Sequence, residues 1–166
     1  MVTIRPYLPS DLEACRSLWV QLTVRHREIY RDDAIGGADP GAQFDEHLGA
    51  VGPDRIWVSD DGGTIVGLTG LIVDGPEGEV EPVIVTAARR GEGIGRLMVE
   101  HVVAEARVIG IRLLSVRPVA RNAEAIRFFH GLGFDVLGHV EAFMDLTDRE
   151  DRWLPGETIA DRGFLV

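Results

Sequence analysis

The sequence predicts an α/β (α+β) fold, a mixed sheet covered by helices, and three observations carry that reading. Apolar runs of strand length alternate with longer segments whose apolar residues recur every three or four positions. Two of the runs, "RIWVS" and "TIVGLTGLIVD", flank the turn "DDGG", a strong hairpin signal. A third run ends in two arginines and passes through "GEGIG" into an apolar, helix-like segment.

In chain order, residues 2–6 read as a short strand. Ser10 and Asp11 are helix-capping residue types, and Glu13 offers Ser10 a capping-box partner. Leu12, Cys15, Trp19 and Leu22 then mark the apolar stripe of a helix reaching about Ile29. "YRDDAIGGADPGAQ" is a loop broken by Gly36, Gly37 and Pro40, and Phe44 to Leu48 suggests a short second helix. After the hairpin, "GPEG" turns the chain into a strand from about Glu79 to Thr86. Residues 94–109 form a helix ending at Gly110, and "RLLSV" is a buried strand bounded by Pro118. "NAEAIRFFHGLG" is a helix with Ala125, Phe128, Phe129 and Leu132 on its apolar stripe and Gly133 at its end. "FDVLGH" and "EAFMDL" read as two last strands. The tail, 147–166, is polar but carries Trp153, Ile159 and Phe164, so it is expected to pack on its own domain or on a dimer partner.

The whole-chain properties narrow the function. With 166 residues the chain is most simply one domain with a real core. A net charge of −10 argues against nucleic-acid binding by phosphate neutralisation and would suit a cationic acceptor. All 17 basic residues are arginine. No apolar run has the length of a membrane span, and "MVTIRPYLPSDL" has no signal-peptide pattern. The single cysteine, Cys15, makes no internal disulfide, which fits a reducing cytoplasm. It lies on the apolar face of the first helix, as a core residue would. His26, His47, His101 and His139 show no metal-ligand spacing, so no metal is expected.

The turn "RRGEGIGR" joins a strand to a helix N-terminus, whose free N–H groups and partial positive charge attract phosphate. Gly91, Gly93 and Gly95 let the backbone approach such a group, and Arg89, Arg90 and Arg96 add charge. A P-loop requires a lysine that this chain lacks, and the glycine spacing differs from a dinucleotide fingerprint. By themselves the three glycines leave a ligand-free structural turn equally open.

Arg90-Gly91-Glu92-Gly93-Ile94-Gly95 resembles the Arg/Gln-x-x-Gly-x-Gly/Ala motif of the GNAT acyltransferase superfamily. "NAEAIRFFHGLGF", residues 122–134, is similar to that superfamily's Asn-x-x-Ala…Gly-Phe segment, and the element order matches over roughly residues 2–146. The resemblance implies a GNAT domain over 1–146: a central mixed, mostly antiparallel sheet of about seven strands, helices on both faces, and two parallel strands that splay apart. It implies acetyl-CoA as cosubstrate, with the pantetheine arm in the splay against Val83, Ile84 and Val85. The pyrophosphate would lie on Arg90, Gly91, Glu92, Gly93, Ile94, Gly95 and Arg96. Homodimers are common among such proteins.

Acetyl transfer to an amine needs a base, and a carboxylate serves directly or through water. Glu79 and Glu81 stand two apart on the strand before the turn, on one face unless a bulge intervenes. By offset from Arg90, each resembles the catalytic acid of different superfamily members. The chain departs from the pattern at Phe129, where many members place a tyrosine that protonates the CoA thiolate. His130 is adjacent but turned about 100° along the helix, so the general acid stays open. Asn122 reads as a helix N-cap, as a CoA contact, or as both. Glu28, Tyr30, Asp32 and Asp33 lie where the superfamily shapes its acceptor site. The expected reaction is direct attack of a small-molecule or peptide amine on the thioester. An acyl-CoA-binding regulatory module with weak turnover is the alternative.

Overall fold

The structure is a computed structural model and describes residues 1–146 and 153–166. In chain order come β1 (Val2–Pro6), α1 (Leu12–Tyr30), α2 (Ala42–Val51), β2 (Ile56–Asp61), β3 (Thr64–Asp74) and β4 (Glu77–Val85). They are followed by α3 (Ile94–Val108), β5 (Leu113–Ser115), α4 (Ala123–His130), β6 (Pro155–Ile159) and β7 (Arg162–Leu165). β1 to β5 form one sheet in sequence order, and β6 pairs with β7 in a separate hairpin. The first three pairings are antiparallel and β4–β5 is parallel, so the sheet is mixed as expected.

Local sequence explains most boundaries. Gly62 and Gly63 make a two-residue loop with φ of 63° and 95°, the left-handed values that a tight hairpin between twisted strands demands. On one face Cys15 and Leu18 of α1 and Phe44 of α2 pack on Ile56, Val58, Leu68 and Ile84. On the other, Val102 and Ala106 of α3 pack on Trp57, Leu71 and Val80, and Ile94 and Met98 pack on Val66. Helices therefore cover both faces.

The Ser10–Glu13 capping box does not form. The Arg5 guanidinium donates to both Asp11 carboxylate oxygens, at 2.8 and 2.9 Å, and the Leu8 N–H donates to Asp11 at 2.8 Å. This makes Asp11 the anchor of the helix entry, while Glu13 accepts from Arg16 instead. The last helix ends at His130 with Gly131 as its cap, earlier than the Gly133 expected.

The far end of the sheet also differs from expectation. "RLLSV" is an edge strand, with Leu113 65 % exposed, and not a buried one. "FDVLGH" and "EAFMDL" are not strands, and among the described residues the sheet has five members, with β6 and β7 lying beyond residue 153. Alternating apolar residues make a strand only where a partner edge runs alongside. β5 is only three residues long, so its outer edge is too short to hold a further strand. Val136 and Phe143 are accordingly 89 % and 71 % exposed. The expected start of the tail at residue 147 lies outside the described residues.

Candidate active site

β4 positions the site through two interruptions. The first is a bulge. Leu71 pairs with Val80 and Thr69 with Val83, so Gly70 alone stands opposite Glu81 and Pro82. The faces confirm it. Val80 packs with α3, yet Ile84, four residues on, packs with α1 and α2. In an unbroken strand the two would share a face. Gly70 makes the bulge possible, because a Cβ there would stand 2.6 Å from the Glu81 carbonyl oxygen.

The second interruption is the splay. β4 pairs with β5 only at Glu77–Leu113, Gly78–Leu114 and Glu79–Ser115. Among the described residues the β5-facing edge of β4 has no strand partner from Val80 to Val85, which opens a gap along that edge, closed at its far end where the Val85 carbonyl accepts from Arg90. The gap runs from the two glutamates to the glycine turn.

Glu79 and Glu81 flank Val80, and so both lie on the face opposite α3. Glu79 is 13 % exposed and forms an ion pair with Arg117 at 3.3 Å across the mouth of the gap. Burial pushes the Glu79 carboxyl above the usual range, with the Arg117 cation opposing and the Glu81 charge adding to the rise. A carboxylate with raised proton affinity is a better base. Glu81 is exposed at the bulge.

At the turn, Gly91 and Gly93 take φ of 81° and 83°, and each has open space where a Cβ would project. Gly95 serves otherwise: a Cβ there would come within 3.2 Å of the Phe128 ring, so this glycine lets α4 approach α3. Ile94 is buried at the head of α3. The three arginines are not equivalent. Arg89 is bound by Asp61 at 2.7 Å and Glu92 at 2.8 Å, and Arg96 by Glu100 at 3.3 Å. Arg90 donates from Nε to the Val85 carbonyl at 3.2 Å and, among the described residues, has no carboxylate partner.

Asn122 caps α4, its side chain accepting from the Ala125 N–H at 3.1 Å. Phe129 packs edge-on against Phe128 and Phe134 at centroid distances of 5.0 and 5.8 Å, while His130 is exposed. Around the acceptor loop, Arg121 lies over the Tyr30 ring at 5.0 Å, Glu28 pairs with Arg25, and Asp32 accepts from the Ala34 N–H. Burial pushes the Cys15 thiol up to about 12, consistent with a core residue. No group of three metal-ligating side chains occurs among the described residues.

Three residues escaped the sequence reading. Gln21 of α1 accepts from Thr86 Oγ1 at 3.2 Å and the Ala87 N–H at 3.3 Å, tying α1 to the end of β4. Arg117 pairs with Glu79 from beyond β5, and His47 of α2 faces the bulge. Nothing in the local sequence marks them, because each acts across elements remote in the chain.

The family model of the Acetyltransferase (GNAT) family matches residues 17–134, a span that holds both helical faces, the bulge, the splay and the glycine turn. The chain belongs to the GNAT acetyltransferase family. Solved structures agree in fold. A GNAT-family acetyltransferase from Staphylococcus aureus superposes with a TM-score of 0.67 at 16 % identity, covering 80 % of this chain and 84 % of that one. The ribosomal-protein-S18-alanine N-acetyltransferase of Escherichia coli gives 0.61 at 21 % identity, over 80 % and 77 % of the two chains. An aminoglycoside N-acetyltransferase in complex with CoA gives 0.65 at 15 % identity, over 89 % and 96 %. No curated protein matches the chain by sequence. Among the described residues, no helix of this GNAT protein is long and apolar enough to cross a membrane.

Proposed function

We propose that this protein is an N-acetyltransferase that moves an acetyl group from acetyl-CoA to a primary amine by direct attack. One observation carries the reading: β4 leaves β5 at Glu79, so a gap with a free strand edge joins a pair of carboxylates to an anion-suited turn. The pantetheine arm lies along Val83, Ile84 and Val85. The pyrophosphate rests on the N–H groups of residues 91–95 with Arg90 beside it, and Asn122 borders the site from α4.

The amine nitrogen forms its bond to the thioester carbonyl carbon as Glu81 or Glu79 takes the amine proton, directly or through water. Negative charge gathers on the former carbonyl oxygen, where backbone N–H groups of the open β4 edge stabilise it without reorganising. Collapse breaks the C–S bond, leaving the acetamide and CoA thiolate. Phe129 has no proton to give, so the thiolate takes one from water, or takes the amine proton back from the glutamate that accepted it. The acceptor is a small-molecule or peptide amine, and the acidic chain and its two glutamates suit a cationic one. A reducing cytoplasm suits the lone buried thiol.

Phe129 favours a second reading, an acyl-CoA-binding regulatory module. A panel of amines with acetyl-CoA, read by free thiol, separates the two. Amine-dependent release that falls on the order of a hundredfold in Glu81→Gln or Glu79→Gln supports transfer and names the base. Binding of acetyl-CoA without release from any amine sinks it.

A homodimer belongs to the same reading. Leu113, Val136, Leu137, Phe143, Met144 and Leu146 are exposed, and each large apolar side chain left in water forgoes about 1.5–3 kcal/mol. A second copy with the same face would cover them.

A further inference from the structure

The hollow above Gly70 holds more than the bulge. Beside the Glu81 carbonyl oxygen, His47 Nε2 lies 3.4 Å and the Arg55 carbonyl oxygen 3.5 Å from the point where a Gly70 Cβ would stand. Nε2 is buried and has no hydrogen-bond partner among the described residues. The ring is kept in place from behind, with Trp19 of α1 5.0 Å away between centroids. A buried polar nitrogen without a partner is costly, and both oxygens lining the same hollow are acceptors only. A neutral imidazole carries one proton. On Nδ1 it would leave the Nε2 lone pair facing carbonyl lone pairs; on Nε2 it makes the contact attractive.

Building on the transferase reading, we propose that His47, as its Nε2–H tautomer, donates to the Glu81 carbonyl and thereby holds the bulge that aims the Glu81 carboxylate at the acceptor amine. His47 is a positioning residue. It touches neither substrate; it ties α2 to the one point on β4 where the strand changes face. Burial holds the imidazole below its ordinary range, against the opposing pull of the Glu81 carboxylate and carbonyl, which keeps the ring in the neutral form this role needs. The donor acts on the acceptor side of β4, while the glycine turn lies at the other end of the gap. Its loss is therefore expected in kcat and not in acetyl-CoA affinity.

Two arms test this on the full chain. In the first, nitrogen-15 NMR of the histidine rings, with His47 assigned by the signal lost in His47→Gln, reads the tautomer. A proton on Nε2 is expected, and a proton on Nδ1 overturns the proposal whether or not the protein turns over. In the second, His47→Phe keeps an aromatic ring without the donor and His47→Gln restores an N–H near the same place. With a reactive primary amine, His47→Phe is expected to lower kcat about ten- to a hundredfold, with acetyl-CoA affinity by calorimetry within about twofold. His47→Gln should recover most of the rate. Wild-type kcat in His47→Phe, no advantage of Gln over Phe, or a parallel loss of acetyl-CoA binding each overturns it. Should the phenylalanine variant fail to fold by circular dichroism, His47→Leu replaces it. If the wild-type protein releases no thiol with any amine, the transferase reading fails, and the tautomer alone decides the hydrogen bond.

Discussion

Gly70→Ala tests the geometry of the bulge with a single methyl group. Its Cβ would stand 2.6 Å from the Glu81 carbonyl oxygen, where ordinary contact begins at 3.4 Å. The obstacle is backbone and cannot rotate away, so β3 and β4 must part or the bulge must move. Forcing a methyl group into so tight a place costs about 1–3 kcal/mol. For a chain of this size each kcal/mol lowers Tm by roughly 2–4 °C, so a drop of about 4–8 °C is expected for a mid-range cost of about 2 kcal/mol. Because the displaced group belongs to Glu81, amine-dependent thiol release should also fall at least about tenfold. Gly49→Ala is the control: it lies in α2 with nothing within 4 Å of its Cβ and should gain about 0.4–1 kcal/mol. Thermal unfolding and the thiol assay on both variants decide the matter. Wild-type Tm and kcat in Gly70→Ala would refute the claim that Gly70 is required by the Glu81 carbonyl.

Other perturbations separate the parts of the site. Gly93→Asp adds a carboxylate at a left-handed position in the turn, and acetyl-CoA affinity should fall at least about tenfold, about 1.4 kcal/mol; an unchanged calorimetric titration would move the pyrophosphate elsewhere. Arg90→Ala should weaken acetyl-CoA binding about tenfold, as loss of a charge-assisted bond does. Arg89→Ala should matter much less, its charge being already bound by Asp61 and Glu92, and equal effects would contradict that division. Arg117→Gln removes the cation that lowers the proton affinity of Glu79, so that carboxyl should hold its proton to higher pH. If Glu79 is the base, the acidic limb of the pH–rate profile then moves upward, and a limb that stays in place assigns the role elsewhere. Sedimentation at tens of micromolar should show a dimer of the full chain, and a monomer at that concentration would refute the interface drawn from the exposed residues of 134–146.

What the sequence determined is what neighbours along the chain decide. The Gly62–Gly63 turn, the helix beginning at Ile94 and the cap at Asn122 follow from local residue types and short-range periodicity, and each lies where those residues placed it. The glycine turn with its following helix was legible for the same reason, and so was the family. The rest required contacts between distant segments. A strand exists only against a partner, so the alternation in residues 134–146 did not make one beside the short β5. Glu79 and Glu81 were visible as candidates, but whether a bulge followed them depended on Gly70 in the neighbouring strand. Which arginine of the turn keeps its charge free was settled by Asp61, Glu92 and Glu100. His47 had no signal at all, because an imidazole acquires its role here only when α2, packed by Trp19, presents it to a carbonyl on β4. Residue types and spacings encode local conformation, and tertiary packing determines which polar groups meet and which remain available for chemistry.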